Sequence, residues 1–127
     1  MLRAELAAHE RASELCKRMR RAVFALIGGD ERPDLARVAA RCALSTRSLR
    51  RHLAAQGLSF RAELRRLRLE YAHHALAHTD LPIAEIARRL GYSEQSALTR
   101  AVRQALGVSP SRLRVQALRE RAASSLD

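Results

Sequence analysis

A chain of 127 residues with a formal net charge of +11 is too short for a large catalytic domain, and its charge makes a polyanion the default partner. All but Lys17 of the 24 basic residues are arginine, whose fork of donors matches phosphate and guanine better than a compact ammonium does. Genome composition alone is the competing explanation of that excess. Hydrophobic residues make up 47% but aromatics only 3%, which predicts a core of Leu, Ala, Val and Ile carried on helices. Cys16 and Cys42 belong to no C-x-x-C pair, so free thiols and a cytoplasmic location are expected. No apolar run approaches the roughly 20 residues that a bilayer span needs, so no membrane partner is expected.

Taken in order, residues 1–32 read as an N-terminal helix and linker, with Leu2, Leu6, Leu15, Met19, Val23 and Leu26 on a loose stripe. The half from Leu2 to Leu15 has no evident partner. Gly28, Gly29, Asp30 and Pro33 break that helix, and Asp34 is a cap for the next. Residues 33–58 form a first two-helix unit and residues 79–118 a second. The spacing of Leu35, Val38, Ala39 and Cys42 recurs 48 positions later as Ile83, Ile86, Ala87 and Leu90, and Ser45 recurs as Ser93. After a shift of one residue, Leu49, Arg51 and Leu53 correspond to Leu98, Arg100 and Val102, and Gly57 corresponds to Gly107 after another. This is an internal duplication of a helix-turn-helix, not a solenoid.

Residues 59–78 carry Phe60, Leu64, Leu67, Tyr71, Ala75 and Leu76 on one face, without proline or glycine, and predict one connecting helix. At about 1.5 Å per residue it extends about 30 Å, near the 34–36 Å between successive major-groove faces on one side of B-DNA. Arg68 lies near its packed face and is expected in an internal ion pair or hydrogen bond, with DNA contact as the alternative. Pro82 opens the following helix, Gly91 ends it, and Ser93 is expected to cap the next, whose apolar positions are Ala97, Leu98, Ala101, Val102 and Leu106. Ser109 and Pro110 start a last short helix through Ala117, and residues 119–127 read as a flexible tail. The fold class expected is all-α, with about seven helices.

The paired units, with IAEIARRLGY, the run S-x-Q-S-x-L-T-R and the ending G-V-S-P-S-R-L-R, resemble the AraC/XylS-type DNA-binding domain over about Pro33 to Arg114. The resemblance implies that the second helix of each unit enters a major groove of double-stranded DNA. Thr46, Arg47, Ser48, Arg50 and Arg51 would face DNA from the first unit, and Glu94, Gln95, Ser96, Thr99, Arg100 and Arg103 from the second. It also implies transcription regulation, often activation through contact with RNA polymerase. Leu98, Val102 and Tyr92 stand where the family often carries phenylalanine, a repacking of the same core. Many members carry an effector-binding or dimerisation domain ahead of this module. The chain therefore reads as a monomeric stand-alone regulator or as the C-terminal piece of a longer, effector-binding or dimeric protein.

Other chemistry is weakly signalled. His74 and His78 share the i,i+4 spacing of a metal pair, but no further ligand completes a site. No serine stands in a nucleophile arrangement and no glycine-rich phosphate loop is present. The expectation is a non-enzyme without cofactor or metal. A helical protein-interaction module, with DNA contact secondary or lost, is the alternative, and it would not need arginines on both second helices. A structured-RNA binder is disfavoured because the deep, narrow A-form groove does not admit these helices.

Overall fold

The computed structural model describes residues 2–125, except for the side chains of residues 8, 9 and 11–13. Among these residues the regular structure is seven α-helices: α1 Leu2–Gly28, α2 Leu35–Arg41, α3 Thr46–Ala55, α4 Phe60–His78, α5 Ile83–Arg89, α6 Gln95–Leu106 and α7 Pro110–Ser125. The chain divides into two compact units at Leu67 and Arg68, inside α4. That helix is a single uninterrupted element of 19 residues.

In the first unit, α1 buries Leu15, Met19, Ala22, Val23, Leu26 and Ile27, the three-and-four spacing of one helical face. Leu2 and Leu6 remain 73% and 54% exposed, whereas Leu15, at the inner end of the stretch expected to lack a partner, is buried in the core. Asp34 caps α2 by accepting a bond from the Arg37 amide at 2.8 Å, with its own backbone at ψ 169 outside the helical region. Val38, Ala39 and Cys42 then meet Leu49 and Leu53 of α3, all essentially inaccessible to water. Leu64 and Leu67 complete this core. Full burial of each such leucine stabilises the unit by about 1.5–3 kcal/mol before conformational entropy is subtracted.

In the second unit Ala72, Ala75 and Leu76 of α4 are buried with Ile86, Ala87 and Leu90 of α5 and its cap, and with Leu98 and Val102 of α6. Ile83 is only half-buried and Leu106 is 44% exposed, so two expected core positions lie at the margin. Both sit at a helix terminus, where a side chain has neighbours on fewer sides. The last carbonyls of a helix lack partners within it. Arg114 of α7 donates to the carbonyls of Leu76, in the last turn of α4, and of Thr79 just beyond it, both at 3.2 Å, and at 3.4 Å to that of Ala75, which also accepts from the Thr79 amide and hydroxyl.

The duplication extends to backbone detail. Both first helices have seven residues, with ends 48 positions apart. Each closes with the same paired bonds. The Leu44 amide donates to the Ala39 carbonyl and that of Ala43 to Ala40; 48 residues on, Tyr92 donates to Ala87 and Gly91 to Arg88. This Schellman closure requires a left-handed residue after the cap. Gly91 holds it at φ 86; in the first unit Ala43 holds it at φ 57.

Three expectations are corrected. Ser93 does not cap α6: the N-cap is Glu94, at φ −143, without a side-chain cap bond. The second turn is one residue longer than the first, which moves the serine out of reach of the free amides. The last helix does not stop at Ala117 but continues to Ser125, because nothing from Leu118 to Ser125 is a proline or glycine. Leu126 and Asp127 of the expected tail lie outside the described residues. Arg68 was expected to be satisfied internally, yet its Nε is buried without a hydrogen-bond partner. Its guanidinium tip instead reaches Gly91, with Nη2 4.0 Å from the point where a Cβ would stand.

Candidate nucleic-acid interface

The outward face of α3 is set by what its inward face buries. Leu49 and Leu53 point into the first core, and with 3.6 residues per turn Arg47, Arg50 and Arg51 then fall together on the solvent side. Ser45 fixes where the helix starts: its hydroxyl oxygen accepts from the Ser48 amide at 3.0 Å. Thr46 beside it is exposed, while Ser48 is half-buried and its carbonyl contacts His52 Nδ1 at 2.6 Å. Arg47, Arg50 and Arg51 make no hydrogen bond or ion pair among the described residues. Three guanidinium groups on one face, without a carboxylate partner, can each donate to a phosphate or to the O6/N7 edge of guanine.

The second unit builds its face on α6 in the same way. Leu98 and Val102 are fully buried, so Ser96, Arg100 and Arg103 lie outward, with Gln95 exposed at the helix start. Thr99 is half-buried, and its hydroxyl donates to the Gln95 carbonyl at 3.1 Å, leaving the oxygen free only to accept. The Glu94 carboxylate accepts the Ser96 hydroxyl at 3.1 Å, which holds both side chains at the helix start. Arg100 and Arg103 have no partner among the described residues. This face is chemically mixed: an amide suited to adenine, a carboxylate that can accept from the cytosine amine, and two free guanidinium groups.

The first helices treat their charges differently. On α5, Glu85 accepts from Arg88 at 2.6 Å and 3.0 Å and from Arg89 at 3.1 Å. The bonds from Arg88 and then Arg89 hold the Glu85 carboxyl down at about 2. In return the Arg89 guanidinium is raised, first by Glu85 and then by Tyr71. On α2, Asp34 is lowered chiefly by the Arg37 backbone amide, and it also pairs with the Arg37 side chain. Arg37, Arg88 and Arg89 of the supporting helices are thus matched by carboxylates and only Arg41, at the end of α2, is not, whereas all five arginines on the two second helices are left open.

All eleven side chains expected at the interface lie on the two second helices or at the N-cap of the second, and the five arginines among them are exposed. What the sequence did not reveal is Arg18. Its guanidinium donates to the carbonyl of Cys42, the C-cap of α2, and so ties α1 to the turn ahead of α3. A residue 24 positions away has no periodic relation to that turn, so no local pattern could have marked it. Among the described residues no group of three or more His, Cys, Asp or Glu side chains could hold a metal ion. None of their helices is long and apolar enough to cross a membrane.

Residues 38–116 match the protein family described as "Helix-turn-helix domain". The chain is similar to the ornithine utilization regulator of Pseudomonas aeruginosa, 39% identical over 97 residues, which are 76% of this chain and 28% of that protein. Among solved structures it is similar to the C-terminal domain of AraT, a response regulator from Geobacillus stearothermophilus, with 33% identity and a TM-score of 0.58 over 80% of this chain and 84% of that one. It is also similar to the DNA-binding domain of AdpA in complex with a target DNA, with 26% identity and a TM-score of 0.59 over 83% and 96% of the two chains. The chain spans between a fifth and three tenths of the length of the curated relatives it matches.

Proposed function

The chain belongs to the AraC/XylS-type helix-turn-helix family of transcriptional regulators, and on that premise we propose that α3 and α6 are its two recognition helices, reading successive major grooves of one duplex. The observation that carries this reading is that all five arginines of those two helices are left without carboxylate partners, while Arg37, Arg88 and Arg89 of the supporting helices are paired. Phosphate contacts position a protein on the duplex, and base-edge contacts specify the sequence. Arg47, Arg50, Arg51, Arg100, Gln95, Ser96 and Thr99 are the base and phosphate readers of the site, with Thr46, Ser48 and Glu94 at its edges. Arg103, further along α6, is a phosphate contact. The regulator works in the cytoplasm without catalysis or cofactor, as an activator contacting RNA polymerase.

Selection of bound duplexes from a random pool tests this reading. Two enriched blocks about one helical turn apart are expected, and a pool without an enriched motif sinks it. The sharper arm compares Arg100→Ala with Arg103→Ala. The first loses about 1–3 kcal/mol of preference for the selected site over random duplex. The second weakens both duplexes alike. Equal losses on the two duplexes for Arg100→Ala would remove that residue from base reading. Binding is also expected to weaken by roughly 10³ to 10⁵ between about 50 and 200 mM salt if six to ten phosphates are neutralised.

A further inference from the structure

Outside the two recognition helices, the first unit holds a second concentration of unmatched positive charge. A cleft of about 350 Å³ lies between α1 and α2, lined by Arg18, Arg21, Ala22, Ala25 and Arg41. The positions on α1 follow helical spacing, so Arg18, Arg21, Ala22 and Ala25 share one face, and Arg41 reaches it from the last turn of α2. The two alanines make a short floor and the three guanidinium groups make the walls. No carboxylate lines this space. Of the nearby acids, Glu14 pairs with Lys17 at 3.5 Å and lines, with Glu10 and Arg18, a separate pocket, and Asp34, at the opposite end of α2, pairs with Arg37.

Arg18 has one nitrogen on the Cys42 carbonyl, which fixes its guanidinium while leaving further N–H groups for a ligand. Arg21 and Arg41 have no partner among the described residues. Like charges gathered in one cleft repel each other, and a bound oxyanion removes that repulsion while accepting the planar N–H pairs that arginine offers. The volume suits a phosphate group with a few hydration waters, each occupying about 30 Å³.

We propose that this cleft seats a phosphate of the DNA backbone, so that α1 and α2 anchor the first unit on the duplex in addition to α3. The proposal rests on the duplex-binding reading above, and it assigns α1 a contact that neither the recognition-helix pattern nor the charge total locates. A seated phosphate adds affinity and salt dependence without sequence preference.

The test uses the full chain and the variant R21Q/R41Q, which removes two exposed guanidinium groups that make no hydrogen bond or ion pair among the described residues and keeps Arg18 in place. Duplex affinity is measured against salt on the selected site and on random duplex. The slope of log affinity against log salt is expected to fall by about 0.9, the value of one phosphate, while the preference for the selected site stays within about twofold. In parallel, inorganic phosphate is titrated into the protein alone and the backbone amides of Ala22, Ala25 and Cys42 are followed by NMR. Saturable shifts in the wild type that vanish in the variant support the site. Such shifts with an unchanged salt slope would overturn the duplex as the source of the phosphate, and an unchanged slope without shifts would overturn the site altogether. Should the wild type fail to bind any duplex, the functional reading falls, and the phosphate titration alone decides whether the cleft holds an oxyanion.

Discussion

After the cap of α2 the chain turns through Ala43 at φ 57, and after the cap of α5 it turns through Gly91 at φ 86, with the same pair of closing bonds on either side. After those turns the two units diverge. Ser45 caps α3 directly, whereas one additional residue before α6 puts Glu94 at the cap, without a side-chain bond. The first unit therefore combines a strained turn with a well-capped second helix, and the second combines a relaxed turn with an open one. The same backbone path is kept because the buried faces on either side demand it, and each unit carries its local strain where the other does not.

The largest effects should come from the matched core positions. Leu49→Ala and Leu98→Ala each empty a fully buried site, and each should destabilise its own unit by about 2–5 kcal/mol. Amide hydrogen exchange resolves the units separately; loss of protection spreading equally through both after either change would show that they do not hold their cores independently.

Ser45→Ala should cost about 1 kcal/mol through the lost cap, read as faster exchange in the first turn of α3. Ser93→Ala should leave α6 unchanged, and a comparable loss there would mean that Ser93 caps the helix after all.

The turns should respond with opposite signs. Gly91→Ala forces a Cβ into the left-handed region, where it makes only an ordinary contact with Arg68 Nη2 at 4.0 Å but the backbone is disfavoured. Against about 1–2 kcal/mol of left-handed strain stands about 0.4–1 kcal/mol from a stiffer unfolded chain, leaving a net loss of up to about 1.6 kcal/mol. Ala43→Gly should gain a similar amount. Denaturant midpoints that move in the same direction for both would break the equivalence of the turns.

The smallest contrast is in pH and salt. Glu85 is held at about 2 by Arg88 and Arg89, so its contribution is complete above its usual 4.5 and is lost as pH falls towards 2. Asp34 is also lowered from 3.8, so its contribution is likewise present above that value and lost in more acid solution. The causes differ: a backbone amide leads for Asp34 and guanidinium groups for Glu85. In about 1 M salt the carboxyl midpoint of Glu85, followed by NMR, should move back up further than that of Asp34. Equal movement would contradict the assignment of causes.

Much of this was readable in the chain. The 48-residue repeat, the leucine positions and the helix breakers located both units, because each reports a buried face or a backbone conformation within a few residues of itself. The residues expected at the interface followed from the same periodicity together with the family resemblance. What was missed required distance or register. The cap of α6 depended on one inserted residue, Leu106 on how many neighbours a helix end can have, and the length of α7 on an absence of breakers that local signals at Ala117 did not overrule.

The sequence by itself determined the number and polarity of the helices, since helical spacing and turn chemistry act between neighbours. Tertiary structure alone decided which arginines are matched and which stay open: Arg18 on a carbonyl 24 residues away, Arg114 on the end of α4, and Arg21 and Arg41 facing a shared cleft. A charge declares its type in the sequence, but its partner is chosen by whatever the fold brings within hydrogen-bond reach.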